Sequence, residues 1–157
     1  MVACGKFRVK IDASERGSAS ISGQFWEDDG DGIRQAGEDN ITDIPLQLLN
    51  ENNNLMSFGQ VNSTGFYAFN NLPNNASLKV LAFNFGYAQT PLNAGSDPSV
   101  DNDFEAVQQD SAFITQLLDL SMTPINENID GGLQIDNSTP LNCNINGIDV
   151  ILSLIHI

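Results

Sequence analysis

From residue 20 to residue 133 the chain keeps no apolar pattern going long enough for a substantial helix, and each of its short apolar runs is closed by Asn, Gly or Pro. That pattern excludes most folds: an amphipathic helix needs about ten or more residues of 3.6-residue periodicity, a strand only about four to eight. Leu46-Gln47-Leu48-Leu49, a polar turn at residues 50–54 and an apolar run at 55–61 predict a hairpin. Asn62-Ser63-Thr64-Gly65 turns the chain into Phe66-Tyr67-Ala68-Phe69, and residues 71–75 turn it again before Leu78-Lys79-Val80-Leu81-Ala82-Phe83. Strands so regularly spaced predict an all-β, antiparallel sandwich or barrel. Ile21, Leu46, Leu48, Phe69, Leu72 and Val80 are its expected core. Residues 113–120 suit a helix or a strand, and the β-rich setting favours the strand. Residues 88–110 read as a long surface loop, and 126–133 as the segment that closes the sheet.

The most specific chemistry lies in Glu27-Asp28-Asp29-Gly30-Asp31-Gly32-Ile33-Arg34-Gln35-Ala36-Gly37-Glu38. Oxygen-bearing side chains stand at positions 1, 3, 5, 9 and 12 of this stretch and a glycine at position 6, which is the ligand spacing of a calcium loop. Calcium takes about six to eight oxygen ligands. Glu27, Asp29, Asp31, the Ile33 carbonyl, Gln35 and Glu38 would nearly fill that shell, with Gly32 making the sharp turn. Position 1 is Glu27 rather than Asp, and its extra methylene opens the alternative that Asp28 takes that role. The flanks are strand-like, so the loop joins two strands and not the two helices of an EF-hand. A solvated acidic turn is the plain alternative. Asp97, Asp101 and Asp103 gather further carboxylates in the long loop, either for solvation or to help hold a cation.

Of 157 residues, 20 are acidic and 6 basic, a net charge of −14. The first sixteen residues carry Lys6, Arg8, Lys10 and Arg16 against Asp12 and Glu15, so the rest of the chain is more acidic still. Such a surface repels phosphate backbones and anionic lipid, which argues against nucleic-acid binding. No apolar run approaches the length that would insert in a membrane as a helix. The segment Met1-Val2-Ala3-Cys4 leads into charged residues without the apolar core of a signal peptide. Leu152-Ser153-Leu154-Ile155-His156-Ile157 resembles a translated sequencing adapter, so a fragment is expected, and His156 then has no functional meaning. The expected organisation is an N-terminal segment at 1–19, a domain at 20–133, a linker or start of a following module at 134–151 and the tail at 152–157. Cys4 and Cys143 either pair in an oxidising compartment or stay as free thiols.

The order of several pieces resembles the B-type repeat (SdrD B-like) domain of bacterial serine–aspartate repeat surface proteins, related to collagen-adhesin B domains. The pieces are Ile21-Ser22-Gly23-Gln24-Phe25-Trp26, Asp29-Gly30-Asp31-Gly32 through Gly37-Glu38, Asp43-Ile44-Pro45-Leu46, residues 65–73, Gly86-Tyr87, Asp101-Asn102-Asp103 and Ile129-Asp130-Gly131-Gly132-Leu133. The resemblance implies an immunoglobulin-like or prealbumin-like β-sandwich, strengthened by Ca2+, in a secreted or cell-surface protein. Its loop ligands fall on Glu27, Asp29, Asp31 and Glu38, with Asp101 and Asp103 on a second acidic stretch. Phe25 stands where the family has its tryptophan, with Trp26 displaced by one. The implied function is a non-enzymatic structural spacer whose partners are neighbouring repeat modules, with a host or matrix ligand as a further partner. Alternatives are an adhesive module or an accessory domain of a larger secreted enzyme.

Three further readings follow. The lysine–asparagine isopeptide bond of collagen-adhesin relatives would need Lys10 with Asn137 or Asn128, although solvation suits Lys10 better. Phe66, Tyr67, Phe69, Phe83 and Phe85 suggest a carbohydrate platform, but strand alternation sends about half of them to the core. Two carboxylates suffice for glycoside hydrolysis, yet no nucleophile motif accompanies them.

Overall fold

A computed structural model describes residues 17–83, 86–107, 112–136, 141–145 and 148–152, the last two stretches by their backbone. Lys10, Phe85, Asn137 and His156, and any pairing of Cys4 with Cys143, lie outside the described residues. Among the described residues the strands follow in order: β1 (Ala19–Glu27), β2 (Pro45–Asn50), β3 (Leu55–Gln60), β4 (Phe66–Leu72), β5 (Ser77–Phe83), β6 (Tyr87–Gln89) and β7 (Glu105–Val107), then β8 (Ala112–Ile114), β9 (Leu118–Asp119), β10 (Ile125–Asn126), β11 (Gly131–Ile135), β12 (Leu141–Ile145) and β13 (Ile148–Leu152). The fold is an all-β, immunoglobulin-like sandwich. In one sheet β1 pairs with β4 on one side and with β10 and β11 on the other, and β6 adds to β11. The second sheet runs β3-β2-β5-β8-β7, with β9 also on β5. β12 and β13 form a separate antiparallel hairpin over part of the stretch expected to be a linker or a second module.

Alternation explains the two-layer packing. Along β5, Leu78, Val80 and Ala82 face inward, and Leu46 and Leu48 of β2 oppose Ala82 and Val80 in register. From the other sheet Ile21, Phe69 and Leu72 meet them, so all six expected core residues are buried. Each fully buried aliphatic side chain contributes about 1.5–3 kcal/mol. Phe25, Tyr67 and Phe104 form an aromatic knot, with the Phe25 and Phe104 ring centroids 4.8 Å apart.

Three features depart from the expectations. β1 pairs with β10 and β11 in parallel, because the chain re-enters that sheet by a crossover and not a hairpin. Residues 113–120 divide into β8 and β9 on the same neighbour, β5. The long loop also buries more than its composition suggests. Phe104 and Asn102 are fully buried, and the Asn102 side chain bonds to Thr90 O and Phe104 O and accepts from Phe104 N and Gly132 N. The stretch expected as one loop also holds most of β6 and all of β7, which pair with β11 and β8, and the four Asn102 bonds fasten the segment between them.

Phe25 leans so closely on Gly131 that an added Cβ would stand 2.3 Å from its ring. Gly131→Val is expected to destabilise the domain by about 1–3 kcal/mol through overpacking, measured by urea unfolding.

Candidate metal centre

β1 alternates inward and outward side chains up to Phe25 and then breaks the pattern: Phe25 and Trp26 are both fully buried and Glu27 is exposed. Trp26 makes an isolated antiparallel bridge with Asn40, and Glu27 N donates to Asp39 O at 2.8 Å. The two ends of the acidic loop are thereby clamped together. Asp28, just past the end of β1, is buried, only 2% exposed. Its Oδ1 accepts from Gly30 N at 2.6 Å and Gly32 N at 3.1 Å, and its Oδ2 accepts from Trp26 Nε1 at 3.2 Å. Gly32 has φ of 78°, and a Cβ there would stand 2.3 Å from Pro91 O, so the turn needs glycine on both counts.

Across the loop, Asp29 N donates to Glu38 Oε1 at 3.2 Å and Gln35 N donates to Glu38 Oε2 at 2.7 Å. One carboxylate oxygen from each of Asp28, Asp29 and Glu38 lies within 4.8 Å of the other two. Oxygens that ligate one calcium at about 2.3–2.6 Å are at most about 5 Å apart, so the three acids match the span of a single ion.

Among the residues expected to converge, Asp29 and Glu38 do so together with Asp28, the alternative to Glu27 at position 1, whereas Asp31 is not in the group. Asp31 is engaged inside the loop instead: its Oδ1 accepts from Ile33 N at 2.8 Å and its Oδ2 from the Gln35 side chain. Gln35 therefore serves Asp31. Glu27 faces another way, beside Tyr87, whose phenol is pushed up first by burial and then by this carboxylate. Ile33 bridges by its backbone to Asp101, which fastens the acidic loop to the long loop.

Asp101 and Asp103 lie within a second acidic group, which includes Asp130, a residue that the spacing argument did not select. Asp103 N donates to Asp130 O and Asp130 N to Asp103 Oδ2, both at 2.8 Å. Gln24 N donates to Asp130 Oδ1 at 2.6 Å. Burial pushes the Asp130 carboxyl up to about 7, offset in part by the Gln24 amide and raised further by Asp103. Asp103 is pushed up to about 6, again mainly by burial. Asp101 is raised as well, and its Oδ1 is buried without a hydrogen-bond partner among the described residues. The signal for Asp130 in the sequence was its place between Ile129 and the Gly131-Gly132 pair, where the backbone packs against Phe25 and Trp26.

The sequence pattern of the SdrD B-like domain family matches residues 19–133. The chain belongs to that family. It is also 31% identical over 90 residues to serine-aspartate repeat-containing protein F of Staphylococcus epidermidis strain ATCC 12228, an alignment covering 57% of this chain and 6% of that protein. A second Staphylococcus epidermidis protein of the same name is likewise 31% identical over 90 residues, 57% of this chain and 5% of its own length. In this SdrD B-like domain Phe25 and Trp26 share the core, so the displaced tryptophan holds Asp28 rather than leaving a gap. Tyr67 and Phe69 are buried, and Tyr67 donates its hydroxyl to Ile129 O at 2.7 Å. Phe66 alone of the strand's aromatics is exposed, which does not make a platform.

The raised carboxyls of Asp103 and Asp130 set a pH dependence. Their folded values, about 6 and about 7, lie above the usual unfolded value of about 3.9. The folded SdrD B-like domain therefore holds more protons than the unfolded chain between those limits, and its stability falls as pH rises through that window. With chelator present, the melting temperature is expected to be several degrees higher at pH 5 than at pH 7.5. Asp130→Asn should flatten that slope, as read by calorimetry.

Proposed function

We propose that this chain is a non-enzymatic structural spacer in a bacterial cell-surface or secreted protein, and that calcium locks its acidic loop. The observation that carries the reading is the grouping of Asp28, Asp29 and Glu38 within 4.8 Å at the mouth of a loop clamped by β1. Three carboxylates so close repel one another, and a hard divalent ion turns that repulsion into attraction. Family membership supports the spacer role, and the relatives' names place them among serine-aspartate repeat-containing proteins. Neighbouring repeat modules are the partners this role implies. In it the domain's work is mechanical: with the loop ends tied, strand β1 and the long loop move as one body.

Calcium should raise the melting temperature. With a dissociation constant of about 0.1 mM and about 1 mM free ion, the stabilisation is about 1.4 kcal/mol. For a domain of this size that is a shift of about 3 °C. Magnesium should give less, because it demands octahedral geometry and keeps its water. Asp29→Asn and Glu38→Gln should each shrink the calcium shift, whereas Asp119→Ala, on the far edge of the second sheet, should leave it intact. Identical melting curves in calcium and in chelator would overturn the proposal.

A further inference from the structure

β1 changes its parallel partner along its length. Ile21 stands opposite Asn126 of β10, and Phe25 opposite Gly131 of β11. Residues 22–24 of β1 therefore face residues 127–130, one residue too many, and the surplus breaks the ladder as a bulge does. Asn128 takes a φ of 61° there. Ile129 N still donates to Ser22 O at 3.0 Å, but Gln24 N, which a regular neighbour would meet with a carbonyl, donates to Asp130 Oδ1 at 2.6 Å. The crossing is so close that a Cβ on Gly23 would stand 2.0 Å from Ile129 O.

This bulge lines a cleft of about 300 Å3, together with Gln24, Arg34 and Phe66. Gln24 and Phe66 are cross-strand partners whose neighbours Phe25 and Tyr67 are buried in the core, so both belong to the outer face of the sheet. Phe66 is 38% exposed. A single ring is no platform, but here it is one side of a concave site. Asp130 is 4% exposed, and its Oδ2 has no hydrogen bond among the described residues.

The balance of donors and acceptors selects the ligand. The Arg34 guanidinium only donates, the Gln24 and Asn128 amides do both, and the Glu127 and Asp130 carboxylates accept. An anion would meet those two acids on a chain of net charge −14, and a cation would meet Arg34. A hydroxyl both donates and accepts, so a neutral, polyhydroxylated molecule suits the whole set. An extended peptide would seek a free strand edge, whereas β1 is paired on both sides. The volume lies at the small end of the range of about 300–1,000 Å3 for small-molecule sites. We propose that this cleft binds a neutral saccharide of one or two rings, with Phe66 against the sugar's C–H face and Gln24, Arg34, Glu127, Asn128 and Asp130 meeting its hydroxyls. The site would add a ligand to a domain whose spacer role does not require one.

The test is an NMR titration of the full chain with glucose, galactose, mannose, N-acetylglucosamine and N-acetylgalactosamine, and with glycerol as a polyol lacking a ring. At least one sugar is expected to give saturable amide shifts centred on residues 22–24, 34, 66 and 127–130, with a millimolar dissociation constant. Phe66→Ala and Gln24→Ala should each weaken that binding, the first by roughly tenfold or more, with melting curves unchanged because both side chains lie on the outer face. Phe66→Trp should retain it, and Phe58→Ala, an exposed aromatic on the other sheet, should leave it as it was. The absence of saturable shifts with all five sugars overturns the proposal. So do shifts that glycerol reproduces, shifts that survive Phe66→Ala and Gln24→Ala, or an equal response to the uncharged peptide N-acetyl-tetraalanine amide, which would assign the cleft to peptide.

Discussion

Adjacent residues of a regular strand face opposite sides, yet β1 buries Phe25 and Trp26 in succession. Both faces of the strand's end are therefore covered, with Phe25 beside Gly131 and Trp26 beside Gly132 in unbroken register, and the surrounding architecture depends on that double cover. Phe25 goes into the knot with Tyr67 and Phe104, and Gly131 is the only residue type that leaves room for its ring. Trp26 turns its indole toward Asp28, while Gly132 gives way to its far edge. Two glycines in β11 and a buried acid at the mouth of the loop thus accompany the burial of both aromatics.

The same end of the sheet connects the two acidic groups. Asp28 gathers the Gly30 and Gly32 amides, so the loop turns sharply and brings Ile33 back to bridge Asp101. From Asp101 the chain continues through Asn102, clamped by four side-chain bonds, to Asp103 and its reciprocal bonds with Asp130. The carboxylates are therefore held in place by backbone amides. Amide donors hold down the energy of a buried carboxylate, but neighbouring negative charges raise it again. The balance leaves Asp103 and Asp130 far above the ordinary carboxyl range, so this side of the domain carries electrostatic strain that protons can relieve.

Stability elsewhere rests on ordinary sandwich packing. β2 and β5 interleave Leu46, Leu48, Val80 and Ala82 in strict alternation, and the facing sheet supplies Ile21, Phe69 and Leu72. This half is regular where the other is irregular. The sandwich thus presents a conventional core beneath a worked end, where two loops and the start of β11 converge. The exposed edge at β3 lies away from that end and is chemically opposite to it, apolar where the loops are acidic.

Local chemistry by itself determined much of this protein. Period-two alternation in residues 46–49 and 77–83, with polar turns at 50–54, 62–65 and 71–75 between strands, dictates which side chains face inward, so the core residues and the hairpin were legible directly. Ligand spacing in the acidic loop marked Asp29 and Glu38 for the same reason: carboxylates a fixed number of residues apart on a tight turn must come near each other. Tertiary structure alone buried Asp28 and left Glu27 exposed, because Asp28 is covered by the Trp26 indole and by amides of a loop whose packing depends on strands far away in the chain. It also decided that β10 and β11 lie parallel to β1 and that Asp103 meets Asp130, since a crossover's path and a contact between distant segments leave no periodic trace in the residues that make them.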